Sequence, residues 1–210
     1  MLERRRLLGA VAIGVGAALT RTAGAQSAEP VQPAGAEPAE VRLNAPGPEG
    51  RLIARRAGLW DVTESVWPSP GATPVVTTGL VAERRMTGTL LQEFIRPPAD
   101  EAHEDVRRTD LLCFNRLEGR WDYVSFDMRA PVGLMSAWSA ESGDGSTIEI
   151  HFAPFAVVGA GQEPTGQMLR MQQFIRFQGP DRDVKDQYFT LADGTGSRWL
   201  AHQYAYTRRS

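Results

Sequence analysis

Cysteine is all but absent from this sequence. Cys113 stands alone among 210 residues, so no intramolecular disulfide can form and packing must hold the fold. Its place in the apolar run Leu111-Leu112-Cys113-Phe114 marks it as a small buried hydrophobe rather than a reactive thiol. There is no cysteine pair for a metal, no Gly-x-Ser-x-Gly elbow and no Walker loop. His103-Glu104 begins a zinc-protease pattern, but Arg107 occupies the partner position and the site lies in the acidic loop 99–105, which reads as solvated. No catalytic residue, metal ligand or cofactor is assigned from motifs. An excess of basic charge is missing too: the formal net charge is −2, which argues against a nucleic-acid partner. Lys185 is the single lysine, and the arginine excess is read as coding bias.

The first 25 residues read as a targeting segment. Arg4, Arg5 and Arg6 precede an apolar run from Leu7 to Leu19, and Ala23-Gly24-Ala25 supplies a small-residue cleavage site. The order Arg4-Arg5-Arg6-Leu7-Leu8 resembles a twin-arginine export signal, with a general secretory signal as the alternative. The run is too short and glycine-rich for a membrane span, so the mature protein is expected to be periplasmic or secreted with no membrane span. Removing the segment takes four of the 23 basic and one of the 25 acidic side chains, which lowers the formal net charge to −5. Residues 26–50, rich in Ala, Pro, Glu and Gly, lack the apolar content to offset ordering entropy and read as a disordered linker. A short helical turn is expected around Leu52 to Arg56, at the start of a domain spanning 51–210.

Beyond Gly58 the hydrophobic period is two. Strands are predicted over 58–67, 75–86, 89–96, 106–117, 120–128, 134–140, 147–152, 167–177, 184–191 and 197–207. Glu118-Gly119, the Ser142 to Gly145 run, Gly179-Pro180-Asp181 and the Asp193 to Gly196 run mark turns between them. No sustained 3.6-residue period follows the signal, which favours an all-β antiparallel meander. About ten strands with one apolar face close into an up-and-down β-barrel, because closure removes exposed edges. Leu91-Gln92-Glu93-Phe94-Ile95-Arg96 and Met171-Gln172-Gln173-Phe174-Ile175-Arg176 are similar, but the match is short enough to arise from shared strand composition.

Several stretches resemble one family. Gly58-Leu59-Trp60-Asp61-Val62-Thr63 with Trp67-Pro68, then Gly79, Arg84-Arg85-Met86 and Gly88-Thr89-Leu90-Leu91-Gln92-Glu93, are similar to the opening strands of the DUF1579 family of bacterial proteins. Gly119-x-Trp121-x-Tyr123-Val124 and the ending Tyr206-Thr207-Arg208-Arg209 resemble its later strands, while Cys113-Phe114-Asn115 departs from the Gly-Tyr-Asp expected there. The resemblance covers about residues 57 to 209. It implies a lipocalin-like (calycin-like) barrel and no assigned activity.

Polar residues interrupt faces that should be apolar. Glu64 shares a face with Trp60, Val62 and Val66; Arg84 with Leu80, Ala82 and Met86; Glu93 with Leu91 and Ile95; Gln173 with Met171 and Ile175; His202 with Leu200, Tyr204 and Tyr206. One expectation is that Glu64 or Glu93 pairs with Arg84 to close one end of the barrel. Trp60, Trp121, Trp138 and Trp199 read as core or barrel-end packing. The leading functional reading is a lumen that binds a small apolar or amphipathic molecule, with Trp60, Glu64, Arg84, Glu93, Tyr123, His202 and Tyr204 as candidate contacts. A rival is an enzyme using Glu64 or Glu93 as general acid or base beside Arg84 or His202. Two others are haem ligation by His202 and an envelope interaction module with an exposed apolar patch and no cavity. Oligomeric state is not encoded in any feature of the sequence.

Overall fold

The computed structural model describes residues 37–97, 105–158 and 164–210. Arg4, Arg5, Ala25 and the rest of the export segment lie outside these, as do His103 and Glu104. The described chain is nearly all β. Eleven strands follow two short helices: β1 Gly58–Val66, β2 Val75–Thr87, β3 Leu90–Arg96, β4 Arg108–Asn115, β5 Arg120–Asp127, β6 Leu134–Trp138, β7 Thr147–Phe152, β8 Phe155–Val158, β9 Pro164–Phe177, β10 Arg182–Leu191 and β11 Trp199–Arg208. Neighbours pair antiparallel in chain order, and β11 returns to pair with β1, with Trp60 opposite Arg208 and Val66 opposite His202. This is the predicted closed up-and-down barrel of ten strands, with one strand more.

The addition is β8, whose four residues fall between the strands that the alternation predicts. β7 and β8 pair successively with β9, Thr147 opposite Arg176 and Phe155 opposite Leu169, so a break at Ala153-Pro154 divides one edge of the barrel into two pieces. Proline lacks the amide hydrogen a continuous ladder needs. Elsewhere the alternation sorts side chains as expected. Trp60 and Val62, Leu80 and Ala82, Leu91 and Ile95, and Ile148 and Ile150 are buried, and their intervening neighbours are more exposed. A bulge lies where Val62 faces Leu80 but Glu64 faces Thr77. Gly79 sits there at φ +79°, a conformation that any side chain would strain.

Part of the stretch read as linker is helical. Helix α1 spans Ala39–Asn44 and α2 spans Pro48–Ala54, so ordered structure begins before the predicted domain boundary at 51. Proline suits the first turn of α2, where an amide donor has no intrahelical partner, and Glu49 and Arg51 complement the helix dipole. Tertiary contact supplies what composition lacks. Ile53 is fully buried in the core at one end of the barrel, and Arg116 holds α1 by donating to the carbonyls of Arg42 (2.6 Å) and Ala45 (3.2 Å). Among the described residues no helix is long and apolar enough to cross a membrane.

Three sequence expectations about packing need correction. Trp138 is 43% exposed and points outward, because β6 turns Met135 and Ala137 inward. Leu200 does not share the inward face of Tyr204 and Tyr206: a register shift between Gln187 and Tyr188 on β10 makes Ala201 the buried residue. Cys113 lies half-buried on the outer side of β4 rather than in the core, and burial raises its thiol above the ordinary range.

Candidate functional site

A line of charged side chains runs through the interior of this barrel beside its apolar core. β10 turns Asp183, Lys185 and Gln187 inward and β4 turns Arg108 and Asp110 inward, all buried. At the α2 end Arg56 lies 3.1 Å from one oxygen of Asp183, whose other oxygen accepts from Arg84 at 2.5 Å. Arg84 Nε donates to Glu93 at 2.6 Å, and Lys185 Nζ bridges Glu93 (2.7 Å) and Asp110 (2.6 Å). Arg108 Nε donates to Asp110 at 2.9 Å and its Nη1 reaches the Tyr204 hydroxyl at 3.0 Å, which donates to Glu64 at 2.8 Å. Glu64 then accepts from both terminal nitrogens of Arg129, at 2.8 and 3.0 Å, and Arg129 also binds Asp127. Five cations thus alternate with five anions along the barrel. Desolvating an ion costs several kcal/mol, so such a ladder is tolerable only when every member has a partner of opposite sign.

The protonation of the carboxylates follows from this pairing. Burial pushes Glu93 and Asp110 upward, but Lys185 with Arg84, and Arg108 with Lys185, outweigh it and hold both below the usual carboxylate range. For Glu64 burial is likewise outweighed, by His202, Arg129 and Tyr204. Asp183 goes the other way: burial exceeds the pull of Arg84 and Arg56 and raises it. Burial also raises the hydroxyls of Tyr123, Tyr204 and Tyr206, so all three stay protonated donors. Glu64 and Glu93 are therefore fixed anions inside ion pairs. Nothing in this geometry supports either as a proton donor or acceptor for catalysis near neutral pH.

The candidate residues divide into four groups. Trp60 is fully buried, donates from Nε1 to the Arg56 carbonyl at 3.0 Å, and packs its ring 4.7 Å from the Arg84 guanidinium and 4.3 Å from that of Arg208, so it is a structural post. Arg84, Glu93 and Tyr123 surround a central void of about 30 Å³, room for a water or two but not for an organic ligand. Of the two pairings expected for Arg84, that with Glu93 forms and that with Glu64 does not; Arg129, from the turn after β5, takes Glu64 instead. Glu64 and Tyr204 are buried members of the ladder. Only His202 reaches open space, with Nδ1 3.5 Å from Glu64 and its ring stacked on Tyr204 at 6.2 Å.

That space is a cavity of about 440 Å³ at the end of the barrel opposite α2. Arg108, Asp127, Arg129, Gln187 and His202 form its polar part. Val66, Val132, Met135, Phe155, Leu169, Met171 and Phe189 supply the apolar wall. It exists because β6 and β7 pair at only two positions, Ala137 with Phe152 and Trp138 with His151, after which the chain before β6 and the strand β8 diverge. Sequence reasoning missed most of these residues. Phe155 belongs to a strand too short to show a period, Val132 to a turn, and Arg108 to a strand whose polar side faces inward.

Among the described residues no group of three or more His, Cys, Asp or Glu side chains converges as a metal site. On the outer surface Phe126 and Leu134 face one another across β5 and β6, 40% and 73% exposed, a small apolar row of the kind an interaction module would carry.

In comparison with known proteins, no family model matches the chain and no curated protein matches it. Among solved structures the chain is similar to the crystal structure of Rv2717c from M. tuberculosis, at 14% identity and a TM-score of 0.45, over 78% of this chain and 99% of that one.

Proposed function

We propose that this chain is an exported barrel that binds one small amphipathic molecule in the cavity at its open end. One observation carries the reading: an apolar wall meets a short polar floor in a volume of about 440 Å³, the composition of a small-molecule site, while the rest of the lumen is filled. Export rests on the Arg4-Arg5 pair and the Ala25 site in the sequence. Of the seven candidate contacts His202 alone lines the cavity, and Arg108, Gln187, Phe155 and Phe189 take the place of the others.

The test is occlusion. Val132 is partly buried in the cavity wall on a turn, so Val132→Trp fills space without disturbing a strand. Anilinonaphthalene sulfonate, an amphipathic fluorescent probe with an anionic sulfonate, is expected to bind the parent protein and to bind Val132→Trp at least about tenfold more weakly, as loss of a buried aromatic contact implies. Equal affinities in titrations of the two proteins would refute the assignment.

A second reading is favoured by one contact. His202 Nδ1 lies 3.5 Å from Glu64 without a hydrogen bond between them, and a small rotation of the ring would make the bond by which a carboxylate orients an imidazole and leaves Nε2 available as a metal ligand. Haem held by His202 is the form this takes. Haemin added in the same titration series then gives a shifted Soret band that His202→Ala abolishes, and an unshifted band disposes of it.

A further inference from the structure

The hydrogen-bonding groups at the inner end of the cavity are unevenly spent. Arg108 is 3% exposed; its Nε and Nη1 are taken by Asp110 and Tyr204, and its Nη2 has no partner. Gln173 is fully buried behind Gln187, accepts from Gln187 Nε2 at 2.7 Å, and leaves its own Nε2 without a partner. Each amide carries two N–H donors and one oxygen, so either orientation of the glutamine pair leaves donors over. The acceptors are already used. Asp127 takes Arg129 through both oxygens, and Glu64 takes Arg129 and Tyr204. Both arginines of the cavity lining are paired in the ladder, Arg108 with Asp110 and Arg129 with Asp127 and Glu64, so the unspent group at the floor is a donor, Arg108 Nη2, rather than a net charge.

Resting on the proposed binding role, we infer that the occupant is an alkyl or aryl carboxylate whose carboxylate enters first and accepts from Arg108, with its apolar body along Phe155, Met171 and Phe189. A neutral alcohol of the same length would bury equal apolar area, but its hydroxyl accepts without a charge and brings one more donor where donors are in excess. An alkylammonium would bring a cation beside the Arg108 guanidinium and offers no acceptor for its unpartnered Nη2. A carboxylate must shed water on entry, and a charge-assisted hydrogen bond in a water-poor site offsets that where a neutral group cannot.

The experiment uses the full chain and three probes of one chain length below their micellar concentrations: dodecanoate, dodecanol and dodecyltrimethylammonium, by calorimetric titration at low salt. Dodecanoate is expected to bind at least about tenfold more tightly than the other two, the size expected of one charged hydrogen bond. In Arg108→Gln the advantage of dodecanoate over dodecanol falls below about threefold. Arg108 is also part of the ladder, so if this variant does not fold the parent series alone decides. Equal affinity for dodecanoate and dodecanol, or tighter binding of the ammonium, overturns the carboxylate assignment and leaves the cavity as a binding site. Failure of all three to bind, with anilinonaphthalene sulfonate failing as well, overturns the binding role itself.

Discussion

Arg84→Met is expected to lower the free energy of unfolding by about 3–5 kcal/mol, read as a shift in urea midpoint at pH 7 with little change in slope. Arg84 is 6% exposed and is the cation shared by Glu93 and Asp183. Without it Glu93 keeps Lys185, but Asp183 keeps only Arg56, in a site where burial already raises its carboxyl. Methionine cannot replace the cation, and the loss of stacking on Trp60 and Tyr206 adds to the cost. The sharper comparison is the double variant Arg84→Met/Glu93→Leu. It removes one charge of each sign and restores neutrality, so it should be less destabilised than the two single changes combined, with a coupling of about 1–3 kcal/mol. Strict additivity would mean that the ladder is not an electrostatic unit.

Lys185→Met is the second large effect, and it carries a pH signature. Lys185 holds Glu93 and Asp110 together. In the parent protein both sit below their ordinary values of about 4. A depressed carboxylate contributes stability that is complete above its unfolded value and is lost only as pH falls through the folded one. The parent should therefore keep this contribution from neutral pH to below pH 4. Without the cation, burial and mutual repulsion raise at least one of the two carboxyls, and a raised group regains stability as the solution becomes more acid. The deficit is expected to be about 3–5 kcal/mol at pH 7 and distinctly smaller at pH 5. Denaturation curves at the two values check it. A deficit that stays constant, or grows, as pH falls contradicts the assigned role of Lys185.

The fold was legible because most strands obey the alternation rule. Trp60, Val62, Leu80, Ala82, Leu91 and Ile95 point inward as period-two reasoning requires, and turn residues bound nearly every strand. Glu64, Arg84 and Glu93 could be picked out as polar interruptions of those faces. Their partners could not. On β10 the apolar Val184 and the aromatic Tyr188 alternate with Asp183, Lys185 and Gln187, and a hydrophobic rule turns that strand the wrong way round. On β4 the same inversion sends Arg108 and Asp110 inward and Leu111 outward. Two inverted strands are consistent only because their charges meet others across the lumen, a relation between residues some 75 positions apart, as with Lys185 and Asp110. No local pattern encodes that.

The cavity was harder still to foresee. It depends on β6 and β7 separating after two pairs and on Pro154 breaking the strand, so its wall comes from turns and short strands rather than from a periodic face. His202 was found as a candidate for its place in the last strand, yet the bulge that shifts Leu200 away from it was invisible.

The central claim is that the charge ladder fills the lumen and leaves ligand space only at the end away from α2. Backbone amide shifts in a ¹H–¹⁵N spectrum titrated with dodecanoate test it most directly. The account predicts changes clustered at Arg108, Asp127, Phe155, Phe189 and His202, with Arg56, Gly179 and Asp183 unmoved. Changes centred on the α2 end, or none anywhere at saturating probe, would contradict it.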